Sequence, residues 1–324
     1  MAEIYAGEFR LNETNEKSNG GTERLTRELS TKIDSSLLKE FQIISSRVRE
    51  LNDDLIRVFW AHDLPGDPES EFLRDKANHS MFHMYVFVSN WQMQGYIERY
   101  DLPWNKCIVL QNAIEPIQFN NDKFKEDKIR LVYTSTPHRG LNILFPVVAA
   151  LSKKFDNIHL DVFSSFDLYG WKARDEPYMQ LFDNISNHSH MTYHGSQPND
   201  VVRDAVSKAH FFTYPSTWRE TSCLCLIEAM SANLICVHSN YGALYETSRY
   251  CTPMYQYVDD WGQHTTVYYR LMHYLLSNYQ TVANVRMNSD YQWSTTNDLH
   301  SWDNVSRSWE LLLLNLLDAR NASK

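Results

Sequence analysis

The sequence predicts an α/β protein made of two doubly wound parallel-sheet domains, and three observations carry that prediction. The chain has 324 residues, about right for two domains of roughly 150 each. Short continuous apolar runs alternate with helical patterns from end to end, the rhythm of right-handed βαβ units. That rhythm runs twice, on either side of a polar stretch, Glu115–Asp127, which has Pro116 near its start and shows no apolar period. The expected organisation is a Rossmann-like domain over 1–115, a linker over 116–128, a second Rossmann-like domain over 129–299 and a final crossover helix over 300–324.

The expected strands are Gln42–Ser45, Ile56–Trp60, Tyr85–Val88, Ile108–Leu110, Arg130–Thr134, His159–Phe163, Thr192–His194, Phe211–Tyr214 and Leu234–Val237. Most read as unbroken apolar runs, as parallel strands covered on both faces do. Thr22–Ile33 reads as a helix because Leu25, Leu29 and Ile33 recur every four residues along one stripe. Leu141–Phe155 and Val201–Ala209 follow their strands in the same way. The last helix, Trp302–Leu317, places Trp302, Val305, Trp309, Leu312, Leu313 and Leu316 at helical spacing. Its stripe is wide enough to demand a partner surface, so it is expected to pack across the domain boundary.

Composition narrows the function. Lys+Arg 31 against Asp+Glu 40 gives 31 − 40 = −9. That balance disfavours general nucleic-acid binding, which needs cations concentrated along a groove. No apolar run approaches the roughly 20 residues that cross a bilayer. The start, MAEIYAGEFRLNETNEK, lacks the pattern of a secretory signal. Five cysteines form no disulfide framework, so a cytoplasmic, reducing location is expected. Ten glycines are few for an α/β chain of this size, in which backbone that approaches a phosphate is usually glycine.

The most informative stretch is Tyr214–Thr247. It reads as a strand end, a turn, a helix over Ser222–Ala232, a second strand and a loop. Glu220 precedes that helix and Glu228 lies inside it. On helical geometry their eight-residue separation gives about 800° of rotation and about 12 Å of rise, so both would face one crevice. Between them, the N–H groups of Thr221, Ser222, Cys223 and Leu224 would form a helix N-terminus suited to an anionic phosphate. Carboxylates could take the hydroxyls of a sugar and a ribose while the helix end takes a diphosphate. On spacing alone, the alternative is that Glu220 merely favours a helix start and Glu228 is a solvated face.

This stretch resembles the retaining glycosyltransferases of family 4, which have the GT-B fold: two Rossmann-like domains facing a cleft. Their signature is E-x7-E, then an A-M strand and a G-G-x-x-E loop. Here it stands as Glu220-x7-Glu228, Ala229-Met230, Leu234–Val237 and Tyr241-Gly242-Ala243-Leu244-Tyr245-Glu246. The family usually has E-G-F-G where this chain has Glu220-Thr221-Ser222-Cys223. Other segments agree in order: Asn19-Gly20-Gly21-Thr22-Glu23, Trp60-Ala61-His62-Asp63, Val88-Ser89-Asn90-Trp91 and Leu110-Gln111-Asn112-Ala113-Ile114-Glu115-Pro116. Tyr133–Leu141 resembles the R-x-x-x-K-G segment, with Arg139 at the Lys position and the earlier Arg missing. Together the motifs span about residues 19–247.

The resemblance implies transfer of a sugar from a nucleotide-diphosphosugar, UDP favoured, to an acceptor hydroxyl with retention of configuration. It implies His62, Glu220 and Arg139 as catalytic residues. It implies Gly20, Gly21, Arg139, Glu220, Thr221, Ser222, Cys223, Leu224 and Glu228 as donor-binding residues. Glu228 would take the ribose and Glu220 the transferred sugar. Arg139 and the N–H groups near Cys223 and Leu224 would neutralise the diphosphate. Gly21 would let its loop reach that phosphate, and His62 would orient the sugar. No metal and no cofactor are expected, the donor being a co-substrate. The acceptor is open: a glycan, a lipid-linked sugar, a protein or a modified nucleobase. A nucleotide-sugar epimerase of the same fold and a decayed nucleotide-sugar-binding protein are the rival readings. His79 and His83, and Cys223 with Cys225, read as structural rather than as metal ligands, and Arg47, Arg49 and Arg57 as a solvated positive spot.

Overall fold

The computed structural model describes residues 2–5, 8–11, 20–48 and 50–322. They fall into two units, one of residues 1–115 with 299–324 and one of residues 116–298. Each unit holds a six-stranded sheet.

Unit 1 contains β1 (Ala2–Tyr5), β2 (Glu8–Leu11), β3 (Phe41–Ser45), β4 (Ile56–Trp60), β5 (Met84–Phe87) and β6 (Cys107–Val109), in the order β2-β1-β3-β4-β5-β6. From β3 to β6 the strands are parallel, with Phe41 opposite Ile56 and Tyr85 opposite Cys107. β1 is antiparallel to both β2 and β3. The sequence reading missed this hairpin: only two residues separate its strands, and each strand carries a glutamate among its four residues. Helix α1 (Gly21–Lys32) buries Leu25 and Leu29, the expected stripe. Helix α2 (Asn90–Tyr100) starts at a Ser89 cap whose hydroxyl accepts from the Gln92 N–H.

Unit 2 contains β7 (Ile129–Thr134), β8 (Ile158–Phe163), β9 (Met191–Tyr193), β10 (Phe211–Tyr214), β11 (Ile235–Ser239) and β12 (Met254–Tyr255), ordered β12-β11-β10-β7-β8-β9. Every pairing is parallel. The chain runs outward from β7 to one edge, then returns to β10 and builds toward the other. This reversal makes a switch point between β7 and β10, the place at the carboxyl ends of the strands where open α/β sheets bind ligands. Helices α3 (Leu141–Leu151), α4 (Met179–Ser186), α5 (Asn199–Lys208), α6 (Leu224–Ser231), α7 (Trp261–Ser277), α8 (Tyr279–Met287) and α9 (Tyr291–His300) connect and cover the strands. Leu131, Leu144, Val148, Leu160, Phe211, Leu226 and Ile235 are fully buried in one core.

The stretch read as a linker, 116–128, is docked on unit 2. Its 3-10 turn Asn121–Lys125 buries Lys123 and Phe124. Lys123 Nζ donates to the carbonyls of Ser207 and Ala232 at 3.2 and 2.9 Å, and burial pulls its pKa down to about 7. A polar segment without an apolar period can still dock when one of its lysines finds buried carbonyls. After α9 the final helix α10 (Trp302–Ala322) buries Trp302, Val305, Trp309, Leu312 and Leu313. Leu316 is half-buried. Within unit 1, Trp309 meets Trp60 edge-on at 5.0 Å, and Arg320 pairs with Glu40. Among the described residues no helix is long and apolar enough to cross a membrane.

Candidate active site

Two loops converge at the switch point of unit 2. The loop after β7 makes a 3-10 turn, Pro137–Arg139, and ends at Gly140 with φ +110°. A Cβ on Gly140 would stand 2.1 Å from the Pro215 carbonyl oxygen, so only glycine lets the loops after β7 and β10 pass this closely. The second loop runs from Tyr214 to Cys223. Glu220 sits in a one-residue parallel bridge with Gly242, and its carbonyl accepts from the Ala243 N–H at 2.7 Å. Gly242 has φ +66°, and a Cβ there would lie 2.5 Å from the Glu220 carbonyl oxygen. Both glycines of this site therefore serve backbone packing around Arg139 and Glu220.

Arg139 Nη1 donates to Glu220 Oε1 at 2.8 Å, and the Tyr214 hydroxyl donates to the same oxygen at 2.6 Å. Glu220 is 4% exposed, so its charge depends on these two donors. Burial works against the charge of Arg139, but Glu220 beside it holds the guanidinium firmly protonated. Arg139 Nε is buried without a hydrogen-bond partner. The face of Trp218 lies 6.0 Å from the guanidinium. Next to Arg139, His138 stacks on Phe166 at 5.2 Å, and burial, with Arg139 and Arg174 nearby, pushes its pKa down to about 4.

The helix after Glu220 corrects the sequence reading. It spans Leu224–Ser231 with Cys223 as its cap, so Thr221 and Ser222 lie in a bend before it. Glu220 is committed to the Gly242 bridge, and the chain needs the intervening residues to turn into the helix. The N–H groups of the helix start therefore begin around Cys223 and Leu224, rather than spanning Thr221–Leu224. The rise and rotation between Glu220 and Glu228 are likewise not those of a continuous helix. Glu228 sits inside α6 at 8% exposure and faces a different cation, with Oε1 at 3.5 Å from Arg203 Nη1. Thus the fold brings Arg139 and Glu220 together and gives Glu228 its own arginine.

Burial raises the thiols of Cys223 and Cys225, the latter to about 11, which disfavours an activated thiolate at either position. Cys225 donates to the Thr134 carbonyl at 2.7 Å. Among the described residues no group of three or more His, Cys, Asp or Glu side chains could hold a metal ion. His79 Nε2 bonds the Leu73 carbonyl and His83 Nδ1 accepts from the Arg57 N–H, both structural contacts. Arg47 and Arg57 pair with Glu69 and Asp53, and Arg49 lies outside the described residues.

In unit 1, His62 lies just beyond β4. Its N–H donates to the hydroxyl of Ser46, a residue in the left-handed conformation at φ +65°. Its ring packs on Trp60 at 4.5 Å, and burial pushes its pKa down to about 3. The neighbouring Asp63 carboxyl is pushed up, chiefly by burial, while the Ser46 hydroxyl opposes that. Gln92 Nε2 and the Tyr96 hydroxyl both donate to the Asp63 carbonyl, pinning this strand end. Gly20 caps α1 and Gly21 opens it. Gly20 has φ −58° and Gly21 is helical, so neither needs glycine's left-handed freedom. Asn19 lies outside the described residues. The segment Leu110–Pro116 is held by the Ile114 N–H donating to the His300 carbonyl at 2.7 Å and by a bridge to Ser301.

Sequence reading missed Tyr214, Arg203 and Asp63. Tyr214 ends an apolar strand and was readable only as core. Arg203 sits in a helix with no motif. Asp63 directly follows His62 and was quoted without a role.

Residues 114–249 match the family model described as glycosyl transferases group 1. No curated protein matches the sequence. Among solved structures the chain resembles Anabaena Alr3699/HepE in complex with UDP-glucose, at 11% identity and a TM-score of 0.61, over 82% of this chain and 72% of that one. It resembles a glycosyltransferase from Rickettsia africae at 12% identity and 0.61, over 96% and 84%. It resembles the pneumococcal O-GlcNAc transferase GtfA in complex with UDP and GlcNAc at 11% identity and 0.63, over 82% and 53%. At these identities the likeness is one of fold. Residues 114–249 thus resemble the group 1 glycosyl transferases, in a chain with the GT-B fold.

Proposed function

We propose that this chain moves a sugar from a nucleotide-diphosphosugar, with UDP as the favoured nucleotide, to an acceptor hydroxyl, with retention of anomeric configuration and without a divalent metal. The observation that carries the reading is the Arg139–Glu220–Tyr214 cluster at the β7/β10 switch point, beside the N-terminus of α6. The UDP-glucose, UDP and GlcNAc in the complexes of its fold relatives support the nucleotide.

The chemistry demands two things of the protein. When the bond between the anomeric carbon and the phosphate oxygen breaks, negative charge grows on the departing diphosphate. In this reading Arg139 and the N–H groups at Cys223 and Leu224 neutralise it. The sugar must also be held while its anomeric carbon is exposed. Glu220, fixed by two donors on Oε1, presents a carboxylate for its hydroxyls. The departing phosphate oxygen takes the acceptor hydroxyl's proton as the new carbon–oxygen bond forms on the same face, so no protein base is assigned. Glu228 accepts from the ribose. Gly20, Gly21 and His62 keep the roles given by the resemblance. With a guanidinium and a helix end at the phosphate, the charge task usually met by a metal ion is already covered.

A thermal-shift panel of UDP, GDP and their sugars tests the donor. A ligand at 100 times its dissociation constant adds about 2.7 kcal/mol of stability. UDP compounds are expected to raise Tm more than GDP compounds, and no shift with any nucleotide would refute the reading. With an acceptor found, NMR of the product should show the donor's anomeric configuration, and turnover should survive EDTA. An inverted product, or activity lost to EDTA and restored by Mg²⁺ or Mn²⁺, would contradict those two parts.

A further inference from the structure

Helix α6 starts at the candidate site and is gripped along its second half. The Ile117 N–H donates to Ser231 Oγ at 3.0 Å, and Ser231 donates to Asn297 Oδ1 at 2.5 Å. Gln292 Nε2 reaches the carbonyls of Met230 and Leu234, and Lys123 that of Ala232. These groups hold the helix backbone or its end. Arg203, from α5, instead touches the glutamate itself. Its Nη1 is 3.5 Å from Glu228 Oε1, and its Nη2 donates to the Pro116 carbonyl at 3.0 Å.

A glutamate side chain in a helix has three rotatable bonds, and a nearly buried carboxylate is costly unless paired. The guanidinium is a rigid planar fork, so anchoring one prong on a main-chain carbonyl fixes the direction of the other. Pro116 is the first residue of unit 2, and the next residue, Ile117, is itself bonded to α6. The carboxylate is thus aimed by a cation anchored to backbone that is tied to the same helix.

We propose that Arg203 is the positioning residue of Glu228: it holds the carboxylate in the orientation that receives the two ribose hydroxyls of the nucleotide, and it does so through Glu228 rather than by touching the ligand. This rests on the donor reading above. Lysine keeps the charge but cannot grip the carboxylate and the Pro116 carbonyl as one rigid unit.

The test is UDP calorimetry on the full chain for wild type, Arg203→Met, Arg203→Lys, Glu228→Gln and the Arg203→Met/Glu228→Gln double variant, with Tm recorded for each. Arg203→Met and Glu228→Gln should each weaken UDP about tenfold. The double variant should be little worse than either single one, because both remove the same contact. Arg203→Lys should recover only part of the loss. Losses that multiply to about a hundredfold would mean that Arg203 meets the nucleotide directly, and a folded Arg203→Met with wild-type affinity would mean that it aims nothing. Either result overturns the proposal. Should Arg203→Met not fold, a well-folded Arg203→Lys with wild-type UDP affinity overturns it equally. Wild-type protein that does not bind UDP would instead sink the donor reading, which separates the two failures.

Discussion

At the strand ends of unit 2, a guanidinium and a carboxylate meet at 2.8 Å with a tyrosine hydroxyl on the same oxygen. At the strand ends of unit 1, an imidazole is pushed down to about 3 and a neighbouring carboxyl is pushed up, burial being the largest influence on both. The first arrangement holds a guanidinium in its charged form, and the second drives its titratable groups toward their neutral forms. Fixed charge beside a helix N-terminus suits a ligand that carries phosphate. A neutral imidazole can donate from one ring nitrogen and accept at the other, which suits hydroxyls. Two six-stranded sheets of different topology thus present opposite electrostatic characters at their strand ends.

Charge removal probes this contrast most strongly. Arg139→Ala leaves Glu220 buried with only Tyr214 on Oε1, and should cost about 3 kcal/mol of stability. It should also weaken UDP-sugar binding by roughly ten- to 150-fold. The matching change in unit 1, His62→Ala, should alter UDP affinity less than about twofold. Denaturant melts and calorimetry measure both, and equal effects of the two changes on UDP would erase the distinction.

Next in size is Gly242→Ala. Its Cβ would press on the Glu220 backbone at 2.5 Å, in a left-handed conformation. Overpacking and backbone strain together should cost about 2–4 kcal/mol. The displaced Glu220 should lower turnover more than UDP affinity. A variant with wild-type Tm and turnover would mean that the bridge does not set Glu220's position.

The smallest effect is on pH dependence. His62 has a folded pKa of about 3 against an ordinary 6.5, so below pH 6.5 the unfolded chain binds the extra proton. Its contribution is complete above that pH and is lost as pH falls toward 3, a change on the order of 1–3 kcal/mol after allowing for solvent contact. Asp63 works in the opposite sense, because a raised carboxyl favours the folded state at low pH and loses that advantage as pH rises. His62→Asn should therefore flatten the acid limb of Tm against pH. An unchanged limb would show that the imidazole is already charged in the folded protein.

How much of this was legible in the sequence depended on whether one residue type carried the signal locally. Runs such as Phe211–Tyr214 and Ile56–Trp60 are mostly buried and mostly apolar, so the central parallel strands were readable. β12 has two residues and the β1–β2 hairpin carries glutamates, so neither leaves a run. Arg139 and Glu220 were readable from motif spacing, and the fold does join them. The helix start was misplaced because nothing local announces that Glu220 pairs with Gly242, a partner 22 residues away. Arg203 and Tyr214 were illegible for the same reason: their meaning comes from carboxylates supplied by other elements.

The central claim is that unit 2 holds a donor with its nucleoside end at Glu228 and its sugar end at Glu220. UDP calorimetry on Glu220→Gln and Glu228→Gln, beside steady-state turnover, tests it most directly. Each change perturbs a charged hydrogen bond, on the order of 1.5–3 kcal/mol. Glu228→Gln should weaken free UDP, whereas Glu220→Gln should leave UDP affinity nearly intact and lower the turnover number. Loss of UDP affinity in Glu220→Gln with wild-type affinity in Glu228→Gln would contradict the account and reverse the donor.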